Sequence, residues 1–271
     1  MFYYALRKGT LKGMRICFIG DIVAAPGRRA MKRILPGFLC DNNIDICIAN
    51  AENSAHGLGV SPKVIDELTN LGVDAITLGN HTFSNYDYFN MANRYPQVAR
   101  PANVSPDWPG FDYVIVEKNG YKLGVINLLG QVDIMPSAAD PFRRADELID
   151  ALKVKGVNDV FIDFHAEATG EKIAFGYYMD GKAVVVAGTH THVQTADNRI
   201  LPHGTGYISD AGMTGCIDSV LGMNIETSIG RLKDKLNLRY EPAEGDAAIC
   251  GIICDVEDGK CVSIKRFTEY E

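Results

Sequence analysis

Short β-branched apolar runs alternate with helical patterns through the first half of the chain. RICFIG (15–20) reads as a buried strand, and the stretch that Pro26 opens carries apolar residues at Ala30, Met31, Ile34, Leu35, Phe38 and Leu39, the spacing of one helix face. A strand over Asp45 to Ala49 follows. Ser61-Pro62 then forms an N-cap and first-turn pair for a helix ending at Gly72, and AITLG closes the next strand at Gly79. Such alternation predicts parallel strands joined by crossover helices. The middle changes character. DYVIVEK and YKLGVINLL flank Asn119-Gly120, a two-residue hairpin signal, and GIICDVE and CVSIKRF flank Asp258-Gly259. Between the hairpins, a helix around 143–155 leads to VFIDF, and a helix near 170–179 leads to AVVVAG. The expectation is an α/β fold of mixed or stacked sheets with helices outside. No linker divides the chain, so 14–271 is expected to be one domain and 1–13 an extension before the first strand.

Composition narrows the class. With 271 residues, 46% of them apolar, the chain can bury one large core. A formal charge of -7 argues against coating duplex nucleic acid, yet it permits a small anionic substrate where bound cations reverse the local field. Seven cysteines without a CxxC pair fit reduced thiols in a reducing compartment. No apolar run approaches the roughly 18 residues of a membrane helix, and the first residues lack the order of a signal peptide. The expectation is a cytoplasmic protein without a membrane partner.

Candidate chemistry lies just after the strands. Asp21 follows RICFIG, Glu52 and Asn53 follow the second strand, Asn80 and His81 follow AITLG, His165 follows VFIDF, and His190 and His192 follow AVVVAG. Each has a bland reading alone: an Asp after a strand is commonly a helix N-cap, and a lone His commonly a satisfied structural residue. His190-Thr-His192 is a better signal, since alternate residues of an extended segment share a face. The combination matters most. Ligands of open α/β sheets bind at the carboxyl ends of the strands, and one metal site there accounts for five strand-end coincidences together. Asp, Glu and Asn oxygens with imidazoles suit Mn, Fe, Zn or Co. Two such cations, only partly neutralised by Asp21 and Glu52, would bind phosphate and activate a water. His56 and His203 read as loop residues, and Arg100 and Arg199 are the arginines to test for phosphate contact. Rossmann, P-loop and nucleophile-elbow motifs do not occur.

The series GD (20–21), AENSAHG (51–57), LGNHT (78–82), DFHAEAT (163–169) and GTHTHVQTADNRILP (188–202) resembles the bacterial YmdB-like phosphoesterases, a branch of the calcineurin-like metallophosphoesterase superfamily. The similarity runs from about Met14 to Phe267. It implies a four-layer α/β/β/α sandwich, a dinuclear site usually described with iron (Mn or Zn being alternatives), and phosphodiesterase activity on substrates such as 2′,3′-cyclic nucleotides through a metal-activated hydroxide. It also implies that Asp21, Glu52, Asn53 and His192 hold one metal, that Glu52, Asn80, His165 and His190 hold the other, and that His81 is the proton donor. Three positions depart from the wider superfamily and match the branch. Val23 stands where a histidine ligand is usual, Glu52 where an aspartate bridges, and Thr82 where an acidic residue follows GNH. The readings left open beside this one are a phosphomonoesterase or nucleotidase, a non-catalytic metal-binding regulator, and a structural protein without metal. A homo-oligomer is also open.

Overall fold

The computed structural model describes residues 13–271, so the expected extension over 1–13 lies, apart from Gly13, outside the described residues. The chain runs through β1 (Met14–Ile19), α1 (Ala24–Asp41), β2 (Ile46–Asn50), α2 (Pro62–Asn70), β3 (Ala75–Thr77), α3 (Tyr86–Met91) and β4 (Val98–Ala99). Next come β5 (Tyr113–Lys118), β6 (Tyr121–Leu129), α4 (Pro141–Val154), β7 (Asp159–His165), α5 (Thr169–Tyr178) and β8 (Val185–Thr189). Short strands β9 (Arg199–Ile200), β10 (Gly206–Ile208) and β11 (Gly215–Cys216) precede α6 (Ile225–Lys233) and the long pair β12 (Ala247–Glu257) and β13 (Lys260–Tyr270).

These strands form two mixed sheets. One has the order β11-β12-β1-β2-β3-β4, with β13 on β12, and the other has the order β5-β6-β7-β8-β10-β9. Strands β1 to β4 are mutually parallel, as are β6, β7, β8 and β10, while β5, β9, β12 and β13 pair antiparallel. Local chemistry explains the anticipated parts. The Ser61 hydroxyl accepts from the Val64 amide at the head of α2. Asn119 and Gly120 both take positive φ, as do Asp258 and Gly259, so each pair turns its hairpin as a primed turn.

Both faces of each sheet are covered, giving four layers. Along β1, Ile16 and Phe18 point to the second sheet, while Cys17 and Ile19 pack under α1 and α2 with Met31, Leu35 and Ile65. Along β7, Phe161 faces the first sheet, while Val160, Ile162 and Phe164 pack against α4 and α5. The Phe18 and Phe161 rings meet across the seam at 5.0 Å between centroids. Burial on both faces is why these strands read as continuous apolar runs rather than alternating ones.

The period of two also brings the seam to its polar end. Going up β7 on the seam side, Phe161 gives way to Asp163 and then His165. On β2, Ile46 and Ile48 give way to Asn50 and then Glu52, and on β3, Ala75 gives way to Thr77 and then Gly79. The apolar seam therefore ends in a layer of hydrogen-bonding groups at the carboxyl ends of both parallel sets. Among the described residues, no helix is long and apolar enough to cross a membrane.

Candidate metal centre

That polar layer ties the sheets together. Asp163, fully buried, accepts from Thr77 Oγ1 at 2.5 Å and Asn50 Nδ2 at 2.9 Å in the opposite sheet, and from Thr189 Oγ1 at 2.6 Å on β8. Burial pushes its carboxyl up to about 6, against the pull of His165 and the three donors. Thr189 spends its hydroxyl proton on Asp163, so its oxygen accepts from His165 Nδ1 at 2.8 Å. This fixes the ring: Nδ1 carries the proton and Nε2 faces outward. Sequence reasoning missed Asp163, Thr189, Asn50 and Thr77. The available signal was the two-residue spacing from Asp163 to His165, which puts both on one face.

Around His165 Nε2 the neighbours are groups with lone pairs. Asn80 Oδ1 lies at 2.9 Å, Glu52 Oε1 at 3.1 Å and His190 Nδ1 at 3.1 Å. Glu52, His165 and His190 form a cluster whose ligand atoms all lie within 4.8 Å. Acceptors crowded in this way repel unless positive charge sits among them. The protonation tendencies say the same. Burial would lower His165, but the Glu52, Asp21 and Asp163 carboxylates outweigh it and push it up to about 9. Burial would raise Glu52, yet His165 and the His81 amide bring it down to about 2. Burial and the His165 charge press His190 down to about 3, leaving a neutral imidazole.

A second group adjoins the first. Asp21 is buried, and its Oδ2 accepts the His190 amide at 3.1 Å. Its Oδ1 has no hydrogen-bond partner and stands 3.9 Å from His165 Nδ1 and 4.0 Å from His192 Nε2. Desolvation raises Asp21 from its usual value. Asp21 does not cap α1, whose N-cap is Val23, so the bland reading of this aspartate does not apply. Asn53 Nδ2 reaches Glu52 Oε1 at 3.0 Å and His192 Nε2 at 3.3 Å. The opposite edge of the His192 ring donates from Nδ1 to the Leu221 carbonyl at 3.1 Å. All seven expected ligands thus converge on one rim.

The donor set fits cations. Two ligands about 2.1 Å from one cation and at right angles to each other stand about 3 Å apart, which is the separation around His165 Nε2. Gly79 completes the cradle. A Cβ there would lie 2.2 Å from Glu52 Oε2 and 2.5 Å from His165 Nε2.

His81 sits half-buried at the edge of the cluster. Its amide donates to Glu52 Oε2 at 3.0 Å, and its Nε2 is 3.4 Å from Asn80 Nδ2. Thr82 Oγ1 turns back to the Gly79 carbonyl at 2.6 Å and closes the loop rather than orienting His81.

Other details differ from the sequence reading. The His190–His192 segment is not extended: φ is +95° at His190 and +65° at His192, so a bend, not strand alternation, brings both rings to the centre. Arg100 is a brace, buried and bonded to Asp112 at 2.9 Å and to the Pro101 and Pro109 carbonyls, with no free face for phosphate. Arg199 lies over the Tyr177 and Tyr207 rings. His203 is an exposed turn residue held by Asp180, as expected. His56 lines an open groove of about 700 Å³ with Arg29, Arg33 and Pro242, which none of the seven expected ligands lines. Glu167 Oε2 lies 3.1 Å from His190 Nε2, on the outer edge of that ring, a neighbour the sequence reading did not anticipate.

A family model described as YmdB-like protein matches residues 17–267. The chain belongs to the YmdB-like family. It is 48% identical over 255 residues to a Bacillus subtilis protein named 2′,3′-cyclic-nucleotide 2′-phosphodiesterase, covering 93% of this chain and 96% of that one. A solved Mycoplasma pneumoniae structure described as a novel phosphatase superposes with a TM-score of 0.89 at 33% identity, covering 96% of this chain and 94% of that chain. The fold extends beyond the YmdB-like family. The Haemophilus influenzae NAD nucleotidase matches with a TM-score of 0.55 at 12% identity, over 96% of this chain and 56% of that chain.

Proposed function

We propose that the chain is a metal-dependent phosphodiesterase that hydrolyses small phosphodiesters such as 2′,3′-cyclic nucleotides. The observation that carries this reading is the meeting of Glu52, Asn80, His165 and His190 lone pairs beside a buried Asp21 oxygen that has no partner. The Bacillus subtilis relative, aligned over nearly both whole chains, supplies the substrate class.

In this reading Asp21, Glu52, Asn53 and His192 would hold one cation, and Glu52, Asn80, His165 and His190 would hold a second. Mixed oxygen and imidazole donors suit iron, with manganese or zinc as alternatives. Bound cations would supply charge to neutralise the phosphate and activate a water for in-line attack. The chain's own groups do the rest. Asp163 and Thr189 hold the His165 lone pair inward. His81, at the edge of the cluster, would protonate the departing oxygen. Burial of Cys17, Cys47 and Cys254 as small apolar residues supports a reducing, cytoplasmic setting.

The test is turnover of bis-nitrophenyl phosphate and of a panel of 2′,3′-cyclic nucleotides by protein loaded with Fe or Mn. The expected result is diester hydrolysis that chelation abolishes and metal restores. Preference for monoesters would favour a phosphatase, the description carried by the Mycoplasma pneumoniae relative. Full metal occupancy without turnover of either class would contradict the reading.

A further inference from the structure

The turn that delivers His190 and His192 is strained. Left-handed φ at a non-glycine residue is disfavoured and persists only where the surroundings over-determine it. Here two such residues flank Thr191. The Thr191 amide and hydroxyl both donate to Asp210 Oδ2, at 3.0 and 2.6 Å. Asp210 is buried just beyond β10, and its Oδ1 accepts the Gly212 amide at 2.8 Å. Its own backbone is bound to Thr195, whose amide donates to the Asp210 carbonyl at 3.1 Å. The loop is therefore stapled to Asp210 on both sides of His192.

A buried carboxylate needs a counter-charge, and Lys172 provides it. Lys172 is 2% exposed, and its Nζ lies 3.0 Å from Asp210 Oδ2 and 3.4 Å from Thr191 Oγ1. It sits near the start of α5, where the helix dipole disfavours a cation, so its partner rather than the helix accounts for its place. β8 and the 209–210 segment can approach this closely because position 188 is glycine. A Cβ there would meet the Ser209 carbonyl at 1.9 Å.

We infer that Asp210, neutralised by Lys172, is a positioning group that clamps Thr191 and so holds His190 and His192 in cation-binding geometry. The inference rests on the metal-centre reading above. Without the clamp the turn relaxes to unstrained backbone, and the two imidazoles leave the cluster.

The experiment measures Mn binding to the apo protein by calorimetry, with apo melting temperature alongside, for the wild type, Thr191→Val, Thr191→Ser and Asp210→Asn. Thr191→Val keeps the shape and the backbone amide and removes the hydroxyl, which donates to Asp210 and accepts from Lys172 Nζ. It is expected to weaken Mn binding about 10–100-fold, with Thr191→Ser restoring it. Asp210→Asn should weaken binding at least as much, and should it fail to fold, the Thr191 pair decides. A lower apo melting temperature with wild-type Mn affinity in Thr191→Val would reduce the contact to a fold-stabilising bond and overturn the clamp alone. A wild type that binds no Mn would instead remove the metal-centre reading beneath it.

Discussion

Gly79→Ala is expected to lose cation binding by about 100-fold or more, and phosphodiester turnover with it, while the two sheets stay folded. The reason is local. The new methyl would fall 2.2 Å from Glu52 Oε2 and 2.5 Å from His165 Nε2, so both side chains must move. Each is buried and, in this account, each is a ligand. The backbone at Gly79 does not take a left-handed φ, so alanine adds no conformational strain and the effect is steric. The cross-sheet ties from Asn50 and Thr77 to Asp163 lie below the methyl and remain. Metal content after gel filtration, read beside circular dichroism, checks the point. A folded Gly79→Ala protein with wild-type metal content and turnover would contradict it.

His81→Ala has the opposite signature. Its tie to Glu52 runs through the backbone amide, which alanine keeps, so the cations should stay. Turnover should fall about 10²–10⁴-fold on a cyclic nucleotide, whose departing alkoxide needs a proton. A nitrophenolate leaves without one, so that substrate should lose far less. Equal losses on both substrates would assign His81 to phosphate binding rather than proton donation.

Much of this centre could be read from the chain because strands announce their own ends. Asp21, Glu52, Asn80, His165 and His190 each follow an apolar run, and parallel strands place such residues on one rim. The hairpins at Asn119-Gly120 and Asp258-Gly259 were legible through turn chemistry. What was not legible depends on which sheet faces which. Asp163 reads as one acid in an apolar strand until the first sheet brings Asn50 and Thr77 against it. The His190–His192 bend reads as extended because its strain is held by Asp210, distant in sequence and unmarked by any motif. Arg100 looks like a surface cation until Asp112 and two proline carbonyls enclose it.

The most direct measurement is a crystal structure of the iron- or manganese-loaded protein with anomalous scattering recorded at the metal edge. The account predicts two peaks sharing the Glu52 carboxylate, one toward Asp21, Asn53 and His192 and the other toward Asn80, His165 and His190. Peaks elsewhere, or an ordered cluster of these seven side chains that excludes metal at saturating concentration, would contradict it.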